Sequence, residues 1–284
     1  MRWKIGDVTV TMVREITTLV DGAGMFPEHY DASIVEAHSS WLRPHFVDDD
    51  GMLHLSIHAL VVESLGRTIV VDTCIGSRPV PGFAEMSDLQ TGFLDRFAEA
   101  GFALDAVDVV LCTHLHFDHV GWNTMLVDGA WVPTFPAARY LFARTEYEYW
   151  DAGHEGAAVT FSDAVRPVFE AGQADLVDMD HSVTDEVWLE PSPGHSPGHV
   201  SVCISSGGER AVITGDLVHH PVQFVAPDWA MAADVDPAMA SRTRTGFRGR
   251  YTDSGVLVFG THFGGPSTGH LVTDADSHRF DVVT

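Results

Sequence analysis

Apolar residues along the chain follow a strand-like pattern more often than a helical one. Residues 1–13 alternate polar and apolar side chains, as a half-buried strand does. Two β-branched runs, 54–64 and 67–73, are separated only by Leu65 and Gly66, which is typical of an antiparallel hairpin. Further strands are predicted from apolar runs at 106–114, 138–144, 186–192, 200–206, 210–216 and 255–262.

Helices are predicted between these strands, from helically spaced apolar residues at 88–102, where Gly101 would end the helix, and at 145–150 and 159–172. Strands that alternate with helices indicate an α/β fold, and 284 residues suit one domain covering 1–284. Residues 1–50 have a strand-like start and then no sustained period. We expect them to form an N-terminal arm that wraps the domain or meets another subunit.

A histidine or aspartate stands at or just beyond the C-terminal end of several predicted strands. These residues are Asp72, His114, His195, Asp216 and His262. Strand ends that meet at one sheet edge bring their side chains together at a cleft. The pattern therefore predicts a polar site at one edge of the sheet.

The segment 113–121, THLHFDHVG, packs three histidines and one aspartate into six positions directly after a predicted buried strand. Imidazole and carboxylate groups are ligands for zinc and for other first-row metals. Burying so many unpaired polar side chains without a metal would be costly. The segment therefore predicts a metal site.

On these residues the chain resembles the metallo-β-lactamase superfamily, whose HxHxDH motif is His114, His116, Asp118 and His119 here. The remaining motifs follow in the family's order and contribute His195, Asp216 and His262. The resemblance covers roughly residues 54–270. It implies a four-layer αββα sandwich of mostly antiparallel mixed sheets, with the metal site at one sheet edge.

The resemblance also implies two divalent metal ions and their ligands. The first ion would be bound by His114, His116 and His195, the second by Asp118, His119 and His262, and Asp216 would bridge them. Zinc is the default metal, and Mn, Fe or Co would fit the same mixed ligand set. A hydroxide between the ions would attack the substrate, which gives Asp118 and Asp216 catalytic roles. Asp72 would orient a ligand histidine through its other ring nitrogen.

Residues near the motifs are candidates for contacts with substrate. His219 stands three residues after Asp216, where homoserine lactonases of this fold place a tyrosine that touches the substrate carbonyl, so it is a candidate catalytic residue. The replacement of tyrosine by histidine departs from the lactonase pattern. Candidate pocket residues are Phe117, Trp122, Trp150, His220, Phe224 and Phe263.

Charge and cysteine content limit the expected binding partners and the expected cellular location. Forty acidic and 16 basic residues give a net charge of −24, which repels phosphate backbones and anionic membrane surfaces. We therefore expect neither a nucleic-acid nor a membrane partner. Three cysteines without a CxxC pair are expected to be buried thiols in a reducing compartment, so the cytoplasm is the expected location. The family and the aromatic N-terminal arm favour a homodimer.

The leading functional hypothesis is hydrolysis of a small ester-like ring, a lactone of the acyl homoserine lactone type. The segments after Asp216 and after His262 are similar to the methyl parathion hydrolase branch, so a phosphotriester or aryl ester is an alternative substrate. An iron-dependent sulfur dioxygenase of the same fold is an alternative of another class. A non-catalytic protein would be expected to lack some ligands, whereas all seven ligand positions are filled here.

Overall fold

The computed structural model describes residues 1–156 and 158–283. The strands, β1 to β15 in chain order, are Arg2–Ile5, Val8–Val20, Leu53–Ser64, Arg67–Val71, Val109–Leu111, Thr124–Val127, Ala130–Pro133, Arg139–Ala143, Ala174–Val177, Val187–Pro191, Val200–Ser206, Glu209–Ile213, Leu257–Phe259, Thr268–Asp274 and Ser277–Val282. The α-helices, α1 to α9, are Gly22–Met25, Ala32–Ala37, Ser39–Leu42, Phe93–Glu99, Phe117–Val120, Arg144–Asp151, Phe161–Ala164, Arg166–Glu170 and Pro237–Tyr251.

The strands of the described ranges pair into two large mixed sheets and a small hairpin. The first sheet has the order β1-β2-β3-β4-β5-β8-β9, the second β10-β11-β12-β13-β14-β15, and β6 pairs with β7. Antiparallel pairings predominate, and the parallel ones are β4 with β5, β5 with β8, β8 with β9, and β12 with β13. Each parallel pair is joined by a crossover that carries helices, as parallel pairing requires.

Apolar side chains pack the two sheets face to face. Val10, Val62 and Val71 of the first sheet belong to one buried cluster with Ile204 and Ile213 of the second. Alternate residues of the same strands point outward, because successive side chains of a strand face opposite sides. Burial of this inner layer supplies the hydrophobic free energy that holds the sheets together.

Helices cover the outer face of each sheet. On the first sheet, Phe97 of α4 and Val168 of α8 belong to a cluster with Val110. On the second, Phe247 of α9 belongs to a cluster with Val258. The order of layers is helix, sheet, sheet, helix, which confirms the predicted four-layer αββα sandwich with mostly antiparallel mixed sheets.

The N-terminal segment contains more regular structure than the sequence pattern indicated. Strand β2 runs for 13 residues and pairs with β3 along its length, with one register shift between Arg14 and Ile16. After it, α1, α2 and α3 are only four to six residues long, too short for a helical period to show. Phe26 and Phe46 from this stretch are fully buried in the cluster beside the second sheet.

The C-terminal third contains elements that the apolar pattern did not predict. Helix α9 is 15 residues long, yet only four of its side chains, those of Ala240, Arg244, Phe247 and Tyr251, are buried, so its apolar stripe is weak.

The predicted helix over 159–172 is divided into α7 and α8 at Val165. Among the residues described, no helix combines the length and apolar character that a membrane crossing requires.

A buried arginine on α9 holds the loop that follows β12. The Arg244 guanidinium is fully buried and donates hydrogen bonds to the carbonyl oxygens of Leu217 (2.8 Å), Pro227 (2.7 Å) and Trp229 (3.1 Å). One of its nitrogens lies 3.6 Å from the carboxylate of Asp234, which is also buried. A single cation therefore satisfies several buried acceptors of one loop.

We expect Arg244→Met to lower the free energy of unfolding by about 3 kcal/mol, because it leaves three carbonyl oxygens without their donor and the buried carboxylate of Asp234 without its neighbouring positive charge. Arg242→Met on the exposed side of the same helix is the matched control, with an expected change within about 0.5 kcal/mol. Urea unfolding followed by circular dichroism measures both. Equal stabilities of the two variants would contradict this role of Arg244.

Candidate metal centre

Strand ends and loops bring two groups of metal-ligating side chains together. One group is His114, His116, His195 and Asp216, and the other is Asp118, His119 and His262. Within each group, one ligand atom of every residue lies within 4.8 Å of the others. All except Asp118 are buried. The structure therefore collects every residue that was expected to bind metal.

The local conformation of the HxHxDH segment separates its side chains into the two groups. The chain leaves β5 at Leu111, and His116 is still extended, with φ −68° and ψ 156°. Helix α5 begins at the next residue. His114 and His116, which precede this helix, fall in one group, whereas Asp118 and His119 within it fall in the other.

The carboxylate of Asp216 lies between the two groups. Its Oδ1 is 3.1 Å from Nε2 of His119 and 3.0 Å from Nε2 of His262. Its Oδ2 is 3.6 Å from Nε2 of His114 and 3.3 Å from Nε2 of His195. One carboxylate thus offers an oxygen to each group.

A histidine behind Asp216 holds it in place. The backbone N–H of Asp216 donates to Nε2 of His199 (2.8 Å), and Nδ1 of His199 contacts the hydroxyl of Ser192 (2.8 Å). Gly215, between strand and ligand, has a φ of +55°, and a Cβ there would lie 2.5 Å from His199 Nε2. Only glycine fits this approach.

Ligand histidines of the second group have their outer ring nitrogens fixed. Nδ1 of His119 lies 2.8 Å from Oδ2 of Asp72, and Nδ1 of His262 lies 3.0 Å from the carbonyl oxygen of Ser56. A carbonyl oxygen and a carboxylate only accept, so both histidines carry the proton on Nδ1. Their Nε2 lone pairs are therefore directed toward the centre.

Asp234 fixes the outer ring nitrogen of His195 in the first group, and nothing in the sequence indicated this role. Its Oδ1 lies 2.8 Å from Nδ1 of His195, and its Oδ2 accepts the backbone N–H of Met231 (3.0 Å). No motif surrounds Asp234, which is one of 40 acidic residues in the chain. Asp234 comes close to His195 only in the folded chain, where the backbone N–H of the next residue, Val235, donates to the carbonyl oxygen of His195 (2.9 Å).

The arrangement of these atoms fits metal ions. Nε2 of His119 and Nε2 of His262 are 3.1 Å apart, and two lone pairs at that distance repel each other unless a positive charge lies beside them. Among the described residues, Nε2 of His114 and Oδ1 of Asp216 are buried without a hydrogen-bond partner. Mixed imidazole and carboxylate donors of this kind suit zinc and its first-row neighbours.

The pKa shifts differ between the histidines of the centre, since burial holds the pKa values of His114 and His116 well below the ordinary value, whereas those of His119 and His195 are raised. Burial alone would lower the pKa of His119, but Asp216 and two further carboxylates raise it well above the ordinary value. Against the same effect of burial, hydrogen bonds to Asp216 and Asp234 raise the pKa of His195 to about 9. The histidines hold the pKa of Asp216 well below its ordinary range, although burial opposes this.

The centre opens into an apolar cavity of about 340 Å³. Besides the ligands His116, Asp118, His195, Asp216 and His262, the lining consists of Thr18, Val20, Gly24, Met25, Leu55, Ile57, Phe83, Met86, Phe117, His219, Met231, Ala232 and Ala233. No lysine or arginine is among these lining residues of the described chain. The rings of Phe83 and Phe117 pack against each other, with centroids 4.6 Å apart.

Of the six predicted pocket residues, Phe117 lies on the cavity wall. The prediction was wrong for Trp122 and Trp150, which are not part of the lining. Trp122 stacks on Phe93 and donates its indole N–H to the buried carboxylate of Glu15 (2.7 Å). Trp150 donates its indole N–H to Glu146 (2.7 Å). Both indoles turn away from the cavity because a buried carboxylate accepts their N–H.

His220, Phe224 and Phe263 also lie away from the cavity. Nε2 of His220 contacts the carbonyl oxygen of Phe46 (2.9 Å), and its ring is fully buried. Phe224 and Phe263 belong to the core cluster beside the second sheet, where both pack against Phe280. Proximity to a motif along the chain was a poor guide here, because short turns reverse the direction of neighbouring side chains.

His219 does line the cavity. Its Nε2 lies 3.1 Å from Oδ2 of Asp216, and its Nδ1 has no hydrogen-bond partner within the described chain. Burial lowers the pKa of His219. A buried imidazole with a free ring nitrogen beside a cavity is available to a bound molecule.

A family model and curated relatives agree with this geometry. Residues 54–254 match the family described as "Metallo-beta-lactamase superfamily". The chain is 27% identical over 165 residues to the probable metallo-hydrolase YflN of Bacillus subtilis, covering 49% of this chain and 60% of that protein. It is 26% identical over 203 residues to an N-acyl homoserine lactonase of Bacillus thuringiensis, covering 66% of this chain and 74% of the relative.

Solved structures share the fold over nearly the whole chain. The hydrolase AbOPH of the β-lactamase superfamily has a TM-score of 0.82 and 24% identity, covering 100% of this chain and 97% of that one. AidC, a dizinc quorum-quenching lactonase, has a TM-score of 0.78 and 20% identity, with the same coverage. Because the family model covers residues 54–254 and the curated relatives are named as hydrolases, the chain belongs to the metallo-beta-lactamase superfamily and is an enzyme of the metallo-hydrolase type.

Proposed function

We propose that this protein is a dinuclear metal-dependent hydrolase of small, uncharged, ester-like molecules, with lactones as the leading substrate class. The observation that carries the proposal is the position of Asp216, whose two carboxylate oxygens face two ligand groups at the floor of an apolar cavity. A carboxylate that faces both ligand groups can hold two ions close together, which is the arrangement that two-metal hydrolysis uses.

In this proposal each ligand group holds one ion. His114, His116 and His195 bind the first, Asp118, His119 and His262 bind the second, and Asp216 serves both, which gives Asp118 and Asp216 their catalytic roles. Zinc is the proposed metal, and Mn, Fe or Co suit the same donors. Such ions supply a water of lowered pKa and a Lewis acid for the substrate oxygen.

The cavity supports an uncharged substrate with an apolar group. Methionine, leucine, isoleucine and phenylalanine side chains form its walls, and, apart from the proposed metal ions, the lining described contains no lysine or arginine to pair with a carboxylate or a phosphate monoester. A net charge of −24 adds repulsion toward anions. An acyl group on a lactone ring matches these walls, and the relative named N-acyl homoserine lactonase supports that class.

The aromatic pair Phe83 and Phe117 favours a second candidate, an aryl ester or phosphotriester. Their rings form part of the wall, and Phe83 is 40% exposed at its edge. A flat aromatic leaving group could stack there. The relatives named metallo-hydrolase and lactonase favour either hydrolysis over sulfur dioxygenation.

We expect the zinc-loaded protein to open a medium-chain acyl homoserine lactone with a kcat/KM of at least ~10⁴ M⁻¹ s⁻¹, which is ordinary for a true substrate. Acid release at constant pH measures the reaction, with a phosphotriester and an aryl ester in parallel. His116→Ala should be inactive, and His154→Ala, an exposed histidine, should match the unaltered protein. Lactone opening no faster than that of His116→Ala would refute the lactonase proposal.

We also propose that His219 contacts the substrate. Its imidazole, which lines the cavity beside Asp216, can form a hydrogen bond to the carbonyl group of a bound substrate. This bond takes the place of the tyrosine contact that the lactonase resemblance implies.

His219→Phe is expected to raise KM about tenfold, the cost of one hydrogen bond, while metal content stays at two ions. His220→Phe is the matched control, because His220 is equally buried but does not line the cavity; it should lower stability and leave KM unchanged. Steady-state kinetics and metal analysis measure these effects. Loss of an ion from His219→Phe would instead place His219 among the ligands.

A further inference from the structure

Glu146 is a buried carboxylate that joins the two loops carrying the first ligand group. It lies on α6 and is 1% exposed. Its Oε1 accepts the backbone N–H of Leu115 (3.1 Å), the residue between His114 and His116. Its Oε2 accepts the hydroxyl of Ser196 (2.7 Å), the residue after His195.

Two further donors complete the environment of this carboxylate. The indole N–H of Trp150 donates to Oε1 (2.7 Å), and the backbone N–H of Gly198 donates to Oε2 (2.8 Å). The Trp150 ring in turn packs against the ring of His116, with centroids 5.4 Å apart. Glu146 therefore reaches the first ligand group by three routes, through Leu115, through Trp150 and through the loop that carries His195.

The loop that follows His195 is pressed against α6 so closely that only glycine fits at position 198. A Cβ on Gly198 would lie 2.2 Å from the backbone nitrogen of Glu146 and 2.5 Å from its Cα. Its φ is not in the left-handed region, so the requirement is one of space and not of backbone conformation. The fold therefore keeps the loop and the carboxylate in direct contact.

We propose that Glu146 is a positioning residue for the first metal site: it fixes the spacing between His116 and His195 and thereby sets the affinity of that site for metal. The inference rests on the metal assignment made above. Glu146 touches none of the ligand rings itself and acts through Leu115, Ser196, Gly198 and Trp150.

A carboxylate is needed at this position because all four neighbours donate. Two are backbone N–H groups and one is an indole N–H, none of which can accept. Glutamine has nearly the same shape but replaces one accepting oxygen with an NH₂ group. Whichever way the amide turns, that NH₂ faces at least one N–H, so a buried donor loses its acceptor.

The test compares Glu146→Gln with Glu148→Gln, an exposed glutamate on the same helix. Zinc affinity is measured by competition with a chromophoric chelator, which needs no substrate. We expect Glu146→Gln to release one of the two ions 10- to 100-fold more readily, as changes behind a metal ligand typically do. Glu148→Gln should retain both ions as the unaltered protein does.

Two readouts separate positioning from general damage to the fold. With Glu146→Gln, saturating zinc should restore most of kcat with an unchanged KM, which a misfolded protein would not do. Ser196→Ala removes a single donor and keeps the carboxylate, so it should give a smaller loss of affinity and serves as the test if Glu146→Gln does not fold. Unchanged affinity for both ions in Glu146→Gln and Ser196→Ala overturns the inference, and a protein that binds no zinc at all overturns the metal assignment beneath it.

Discussion

The convergence of imidazole nitrogens and carboxylate oxygens around Asp216 is the constraint on which the rest of the site depends. Lone pairs about 3 Å apart in a buried setting are unfavourable unless positive charge lies between them, and the raised pKa values of His119 and His195 report the same demand. Strand ends of both sheets deliver these groups to one edge. The fold therefore assembles a set of donors whose best partner is a pair of metal ions.

Buried polar contacts behind the ligands maintain that convergence. Asp72 and Asp234 each hold a ligand histidine by its outer nitrogen, and Glu146 joins the two loops of the first group. Arg244 holds the loop that bears Asp234. Because Asp234 in turn contacts the ligand His195, the stability of this loop and the position of a metal ligand depend on the same contacts.

The ligands and the supporting residue Asp72 could be predicted from sequence, whereas the supports Asp234 and Glu146 could not. HxHxDH places four ligands within six residues, so one short segment supplies side chains to both ligand groups. Asp234 and Glu146 lie far from the motifs along the chain, and only the packing of loops makes them neighbours of ligands. Strands with strong apolar runs were predicted well, but the weakly amphipathic helix α9 was not. Aromatic residues near the motifs were wrongly predicted to line the pocket, because Trp122 and Phe263 pack in the hydrophobic core instead.

In the proposed function, the apolar walls of the cavity would admit an uncharged molecule, and the ligand groups at its floor would hold the ions that supply the attacking water. Anomalous X-ray scattering from crystals of the zinc-loaded protein tests the central claim most directly. Two peaks should appear, one beside each oxygen of the Asp216 carboxylate, each surrounded by one ligand group. A single peak, or peaks away from Asp216, would contradict the dinuclear centre.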